Sequence, residues 1–215
     1  MSLIKSISGI RGTIGGTMGD NLTPLDAVKF ASAYGTWLLK RNASLPSDSR
    51  VKVVLGRDAR ISGKMISSLV ANTLVGLGID VLDLGLSTTP TVEVAVSMES
   101  AHGGIIITAS HNPKQWNALK LLNESGEFLN AADGQEILTL AENGDFNFAA
   151  VDDLGRYAKD ASYVQKHVAA VLQLDLVDVA AIKKAKFKVV LDAVNSTGGI
   201  FIPALLDALG VTCVK

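Results

Sequence analysis

The sequence predicts an α/β fold: a mixed, mostly parallel sheet sandwiched by helices, followed by the start of a second, similar α/β domain. Two observations predict it. Apolar residues make up 48% of the 215-residue chain and aromatics only 5%. The core must therefore be built from Val, Ile, Leu and Ala, the composition of a largely parallel sheet covered by helices. Short aliphatic runs also alternate with segments of helical periodicity, the pattern of parallel βαβ units with right-handed crossovers.

In chain order, residues 3–7 read as a short strand. Ser8-Gly9-Ile10-Arg11-Gly12 and further glycines to Gly19 then read as a flexible loop. Thr23 followed by Pro24 starts a helix, with a capping hydroxyl and a proline at the first helical position. Asp26 suits the dipole of that helix, and Val28, Ala31, Trp37 and Leu38 carry it to about Arg41. Residues 42–50 are a polar loop, 51–55 a buried strand, and Gly56-Arg57-Asp58-Ala59-Arg60 follows it. Ser62 caps a helix through Leu77, and Gly78 suits its left-handed end. Residues 79–84 are the next strand, Thr89-Pro90 opens a helix to Met98, and 104–108 form a strand leading into the loop around Ser110. Residues 119–122 form a further strand, 124–127 a turn, and 131–142 a helix. Residues 144–157 read as a linker, and one helix is expected from about Ala161 to Lys184.

There the pattern restarts. Lys52-Val53-Val54-Leu55-Gly56 resembles Lys188-Val189-Val190-Leu191-Asp192, and Leu77-Gly78-Ile79-Asp80-Val81 resembles Leu209-Gly210-Val211-Thr212-Cys213. Each pair frames a strand, loop, helix and strand. The expected organisation is a first domain over residues 1–150, a linker and helix over 151–185, and the opening of a second domain over 186–215. Two strands and a helix make a poor independent core, so the chain reads as part of a longer protein.

Net charge is −1, and no basic block is interleaved with aromatics, so nucleic acid is not an expected partner. No run approaches the ~18 apolar residues that span a bilayer, and the N-terminus lacks a signal-peptide pattern. The single cysteine, Cys213, reads as a small buried hydrophobe. A lone Cys forms no internal disulfide, which fits a cytoplasmic protein.

The chemistry concentrates in residues 103–120. An apolar strand ends in Thr108-Ala109-Ser110-His111-Asn112-Pro113, with Lys114, Asn117 and Lys120 beyond it. In an open α/β sheet, ligands sit outside the carboxyl ends of the strands, where this loop and the loop at 56–60 both lie. Ser110 is small enough to take a phosphoryl group, whose charge of about −1.5 to −2 needs cations nearby. Adjacent Ser and His do not make a hydrolase triad, and the glycine-flanked serine of a nucleophile elbow is absent. The residues alone leave open a polar loop without a role, a hydrolase, or a non-catalytic phosphate-binding α/β module.

Thr108-Ala109-Ser110-His111-Asn112-Pro113, with Asn117 and Lys120, resembles the phosphoserine signature of the α-D-phosphohexomutases, which include phosphoglucomutase, phosphomannomutase and phosphoglucosamine mutase. Ser8-Gly9-Ile10-Arg11-Gly12 resembles that family's N-terminal active-site loop, and Gly56-Arg57-Asp58-Ala59-Arg60 its second-strand motif. The run 189–199 resembles the opening of its second domain. The resemblance implies four domains, the first three alike, which accounts for the internal repeat. It implies that Ser110 carries a phosphoryl group and interconverts hexose 1-phosphate and hexose 6-phosphate through a 1,6-bisphosphate. Glucose and mannose phosphates are favoured by Thr108, with a phosphoglucosamine mutase as the alternative.

The resemblance further implies that Arg11 contacts the phosphoserine or substrate, that Lys120 is the general acid/base, and that His111 shares that role or orients the phosphate. Arg57, Asn112 and Asn117 would bind phosphate or support the site, Arg57 through Asp58 or the serine loop. It implies Mg²⁺ as cofactor, meeting this chain only at the Ser110 phosphate, because no Asp-Gly-Asp loop occurs up to Lys215. The chain alone is expected to be inactive. Arg60 and Lys114 read as solvated charges, His102 and His167 as structural, and Trp116 as packing or cleft wall. The family usually has Asn-Gly where this chain has Asn117-Ala118, so a slightly different turn is expected there.

Overall fold

The computed structural model describes residues 2–6, 9–46 and 48–214. Ile7, which ends the expected first strand, and Ser8, which opens the Ser8–Gly12 motif, lie outside the described residues. Strands β1 (Ile4–Ser6), β2 (Gly9–Thr13), β3 (Lys52–Arg57), β4 (Asp80–Leu86), β5 (Gly103–Ile107), β6 (Trp116–Leu122) and β7 (Tyr157–Lys159) form one sheet, in the order β1-β2-β6-β5-β3-β4-β7. Pairing is parallel for β3–β4, β3–β5 and β4–β7 and antiparallel for β1–β2, β2–β6 and β5–β6. Five strands therefore run one way, with β1 and β6 reversed, which is the mixed, mostly parallel sheet expected.

Helices cover both faces. On one side lie α1 (Pro24–Arg41), α2 (Gly63–Gly76) and α4 (Ala131–Asn143); on the other lie α3 (Thr89–Met98) and α5 (Tyr163–Leu172). Side chains alternate across a strand. Val53 and Leu55 of β3 and Ile105 and Ile107 of β5 accordingly pack toward α1 and α2, while Val54 and Ile106 pack toward α3.

The start of α1 follows from its residues. Thr23 and Asp26 form a reciprocal capping box, with the Thr23 hydroxyl 2.5 Å from Asp26 Oδ2, and Pro24 occupies the first turn. Further along α1, the buried Tyr34 hydroxyl donates to the Leu122 carbonyl at 2.7 Å and ties the helix to β6. Ser62 behaves differently from expectation. Its side chain makes no cap hydrogen bond and accepts instead from Asn117 Nδ2 at 2.9 Å.

Three segments depart from the sequence reading. Gly9–Thr13 is a sheet strand, paired with Asn117 and Ala118 of β6 through Gly12 and Arg11. The segment read as a linker carries β7, whose Tyr157 and Lys159 pair with Val81 and Asp83. An exposed three-residue strand has little apolar signature, but it covers the otherwise open edge of β4. The helix expected over 161–184 is two helices, α5 and α6 (Val179–Ala185). Asp178 caps α6 by accepting from the Ala181 amide at 2.9 Å, and Asp is a better cap than interior residue.

Beyond α6, β8 (Lys188–Val190) and β9 (Thr212–Val214) pair in parallel across α7 (Gly198–Ala208). This is the repeated unit. Val53 pairs with Val81 in the first copy and Val189 with Cys213 in the second, the same positions that the two sequence repeats align. Gly78 and Gly210, which match in the repeat, both take positive φ, +81° and +67°. Among the described residues, no helix is long and apolar enough to cross a membrane.

Candidate active site

The loop of residues 108–115 joins β5 to β6, so it is a long hairpin connection between antiparallel strands and not a β-to-α crossover. Ser110 sits at its turn with φ +54°, a left-handed backbone that is uncommon for a residue with a Cβ. Such conformations persist only where surrounding structure holds them, and they concentrate at functional sites.

What holds this one is Arg60. Its Nη2 donates to the Ser110 carbonyl at 2.8 Å and to the Asn112 carbonyl at 2.7 Å. Its Nη1 donates to Pro113 and Trp116 carbonyls at 2.8 and 3.0 Å. Its Nε donates to Asp58 Oδ2 at 3.2 Å. All five guanidinium N–H donors are thereby engaged, and the side chain is only 12% exposed. Arg60 is therefore not a solvated charge. The sequence could not show this, because four of its five partners are backbone carbonyls, which carry no residue signature.

Asp58 locks the arrangement from below. Oδ1 accepts from the Arg60 amide at 3.0 Å and Oδ2 from the Thr108 hydroxyl at 2.7 Å; Thr108 Oγ1 in turn accepts from the Ser110 amide at 3.2 Å. A serine at position 108 could make the same bonds, so its hydroxyl reports on the loop and not on a sugar.

A cleft of about 160 Å³ opens beside the loop, lined by Ser110, His111, Asn112, Arg11, Lys120 and Ser6 among others. Ser110 and His111 are exposed on the loop, Arg11 is exposed on β2, and Lys120 is half-buried on β6. Arg11 pairs with Ala118, and Lys120 is two residues further along the same strand. Strand alternation puts both cations on one face of the sheet. Lys120 Nζ lies 5.5 Å from the Phe128 ring centroid. Burial pushes the Glu93 carboxyl up, and the Lys120 charge pulls it the other way.

Arg57 lies outside the cleft lining and donates to the Asp58 carbonyl at 3.1 Å. Asn117 is fully buried, bonded to Ser62 and to the Ala118 amide; it braces the loop's return strand and does not face the cleft. The expected turn at Ala118 is absent. Ala118 lies within β6, opposite Arg11, so an alanine meets no positive-φ demand there. Lys114 is exposed and Trp116 half-buried. His102 Nδ1 accepts from the Lys52 amide at 3.0 Å, and His167 packs at 8% exposure against Thr91 and Phe201, both remote from the cleft.

Among the described residues, no three of His, Cys, Asp and Glu gather as a metal site. Asp58, the one carboxylate bonded to the loop among the described residues, is already an acceptor for Arg60 and Thr108. Mg²⁺ takes about six oxygens in near-octahedral order, so the residues present do not fit the ion on their own. They do suit a phosphoryl anion, with Arg11 and Lys120 beside the serine and a His111 amide that has no acceptor among the described residues.

Comparison with known proteins bears on the fold and the family. Residues 3–148 match the family described as phosphoglucomutase/phosphomannomutase, alpha/beta/alpha domain I. The chain is 37% identical to a phosphoglucomutase/phosphomannomutase of Thermococcus kodakarensis over 95% of its own length and 43% of the relative's. It is 31% identical to a phosphoglucosamine/phosphogalactosamine mutase of Sulfurisphaera tokodaii, over 98% of its length and 43% of the relative's. A crystal structure of a phosphoglucomutase/phosphomannomutase family protein from Burkholderia thailandensis superposes with a TM-score of 0.75 at 24% identity, covering 98% of this chain and 44% of that one; at that identity it bears on the fold alone. The chain thus spans less than half the length of the curated relatives it matches. The strands and loops that carry Arg11, Asp58, Arg60, Ser110 and Lys120 all fall inside residues 3–148, and on that span the chain belongs to the phosphoglucomutase/phosphomannomutase family.

Proposed function

We propose that the full-length protein is a phosphohexomutase that moves a phosphoryl group between O1 and O6 of a hexose through phosphorylated Ser110. The observation that carries this reading is the left-handed Ser110, held by its own carbonyl to Arg60 at the mouth of a cleft that also presents Arg11, His111 and Lys120. Phosphoryl transfer needs in-line positioning and charge neutralisation more than covalent assistance, and a fixed serine flanked by cations supplies both.

In the forward half-reaction, the phosphoserine P–Oγ bond breaks as a sugar hydroxyl attacks phosphorus. The hydroxyl proton passes to a base, and Ser110 Oγ takes a proton as it leaves. In the return half-reaction, Ser110 Oγ gives its proton to the base and attacks the other phosphate of the hexose 1,6-bisphosphate. The P–O bond from that phosphate to the sugar breaks, and the sugar oxygen takes a proton as it leaves, giving the isomeric hexose monophosphate and the phosphoserine. Lys120 is the proposed acid/base, on the cleft wall beside the serine, with His111 as orienting partner and Arg11 as the phosphate contact. Arg57, Asn112 and Asn117 act as supports. The proposed Mg²⁺, a neutraliser of phosphoryl charge when bound, would meet this chain only at the Ser110 phosphate.

The proposed organisation is a first domain over residues 1–150, a connection over 151–185, and the opening of a second domain from 186. Glucose and mannose phosphates are the preferred substrates, and the relatives named as glucosamine-phosphate mutases favour glucosamine phosphate as the second reading. Assay of the full-length protein against glucose, mannose and glucosamine phosphates decides between them. Lys120→Ala in the same protein should lower kcat by about 10²-fold, the scale of a lost general acid/base, with an unchanged circular dichroism spectrum. An unchanged rate would move the proton transfer to His111.

A further inference from the structure

We infer that Arg60, with Asp58 behind it, is the positioning residue of the phosphoryl-transfer loop. It never touches substrate, yet it fixes the direction of Ser110 Oγ. The inference rests on the proposed role of Ser110 and adds a residue whose work is done entirely through the backbone.

The loop makes few bonds of its own. The Asn112 amide donates to Ala109 and the Trp116 amide to Pro113, both short-range turns; the Pro113 carbonyl is thus shared with Arg60, and the carbonyls of 110 and 112 have no backbone donor among the loop and cap bonds of the described residues. One planar guanidinium takes the carbonyls of 110, 112, 113 and 116. Its plane is set by Asp58, which is itself set by the Arg60 amide and the Thr108 hydroxyl. Carbonyls turned toward Arg60 leave the opposite side of the turn for the cleft, where a phosphate requires donors and not acceptors.

The left-handed Ser110 follows from the same arrangement. With its carbonyl on Arg60 at 2.8 Å and its amide on Thr108 Oγ1 at 3.2 Å, the peptide planes on both sides of its Cα are fixed. A lysine could keep the charge but not the fork, because an ammonium has three donors radiating from one point and no planar fork. Charge alone therefore should not suffice.

The test uses Arg60→Lys and Arg60→Met in the full-length protein, with wild type in parallel. Misplacing a reacting group by about 1 Å costs on the order of 10²-fold in rate. Arg60→Met should lose about that much in kcat with KM for the hexose phosphate within about threefold, and Arg60→Lys should fall nearly as far. Added guanidinium should partly restore Arg60→Met, and ammonium should not. Wild-type kcat in both Arg60 variants, or a lost rate fully explained by a smaller folded fraction, would overturn the inference. Amide exchange gives a readout independent of activity: the Asn112 and Trp116 amides should exchange at least about tenfold faster in Arg60→Met, with the Val54 amide unchanged. Unchanged exchange would overturn the clamp even if mutase activity is present. A wild-type protein without mutase activity would overturn the proposed function while the exchange result still judges the clamp.

Discussion

Ser110→Ala in the full-length protein should lower mutase turnover by at least about 10³-fold, the scale seen when a covalent nucleophile is removed, while thermal stability stays close to wild type. The two halves of this expectation have separate physical grounds. The Ser110 hydroxyl has no hydrogen-bond partner among the described residues, and the residue is exposed. What the fold uses at this position is the backbone: the amide to Thr108 and the carbonyl to Arg60. Alanine keeps both, and its Cβ tolerates the φ of +54° no worse than that of serine. The change in stability should fall within the ~0.5 kcal/mol typical of exposed sites. Near-normal turnover would remove the phosphoryl-carrier reading, and a large drop in melting temperature would show that the hydroxyl has a structural role.

Gly9→Ala should damage both the fold and the activity. Gly9 has φ +128° and is buried against β6, where an added Cβ would run into the Leu119 carbonyl oxygen. Backbone cannot yield there as a flexible side chain could, because Leu119 is fully buried and pairs with Ile10 and Ile107. The strained φ and the clash together should cost on the order of 2–4 kcal/mol. If β2 instead peels away from β6, it takes Arg11, two residues on, out of register with Ala118. Denaturant midpoints measure the first effect, and kcat of the residual folded protein the second. A midpoint equal to wild type would show that β2 is not seated on β6 through this glycine.

The sequence motif Ser8-Gly9-Ile10-Arg11-Gly12 was legible as a place where chemistry gathers, but its strand was not. Gly9 and Gly12 interrupt the apolar alternation that marks a strand, and they are there because β2 and its neighbours approach too closely for a side chain. The repeat was legible in detail, because both copies pair aliphatic strands in parallel and place a left-handed glycine after the helix, at Gly78 and Gly210. Ser110, His111, Lys120 and Arg11, which the sequence singles out through motifs built of distinctive side chains and which are proposed to carry the chemistry, are brought to one cleft by the fold. The candidate site was not legible at Arg60, whose five bonds end on four carbonyls and one carboxylate. Nor was the break between α5 and α6 visible, since Leu174 and Leu176 extend the apolar pattern through a segment where both are exposed.

A sheet of fixed register thus places a serine loop, and an arginine fork beneath that loop sets its shape. Two cations on neighbouring strands complete the proposed phosphoryl-transfer site of this chain. The most direct test is to incubate purified full-length protein with a hexose 1,6-bisphosphate, digest it, and locate the transferred phosphoryl group by tandem mass spectrometry. The account predicts phosphate on the peptide at Ser110 and its removal on chasing with hexose 6-phosphate. Phosphate on a different residue, or an unmodified Ser110 in a preparation that turns over substrate, would contradict it.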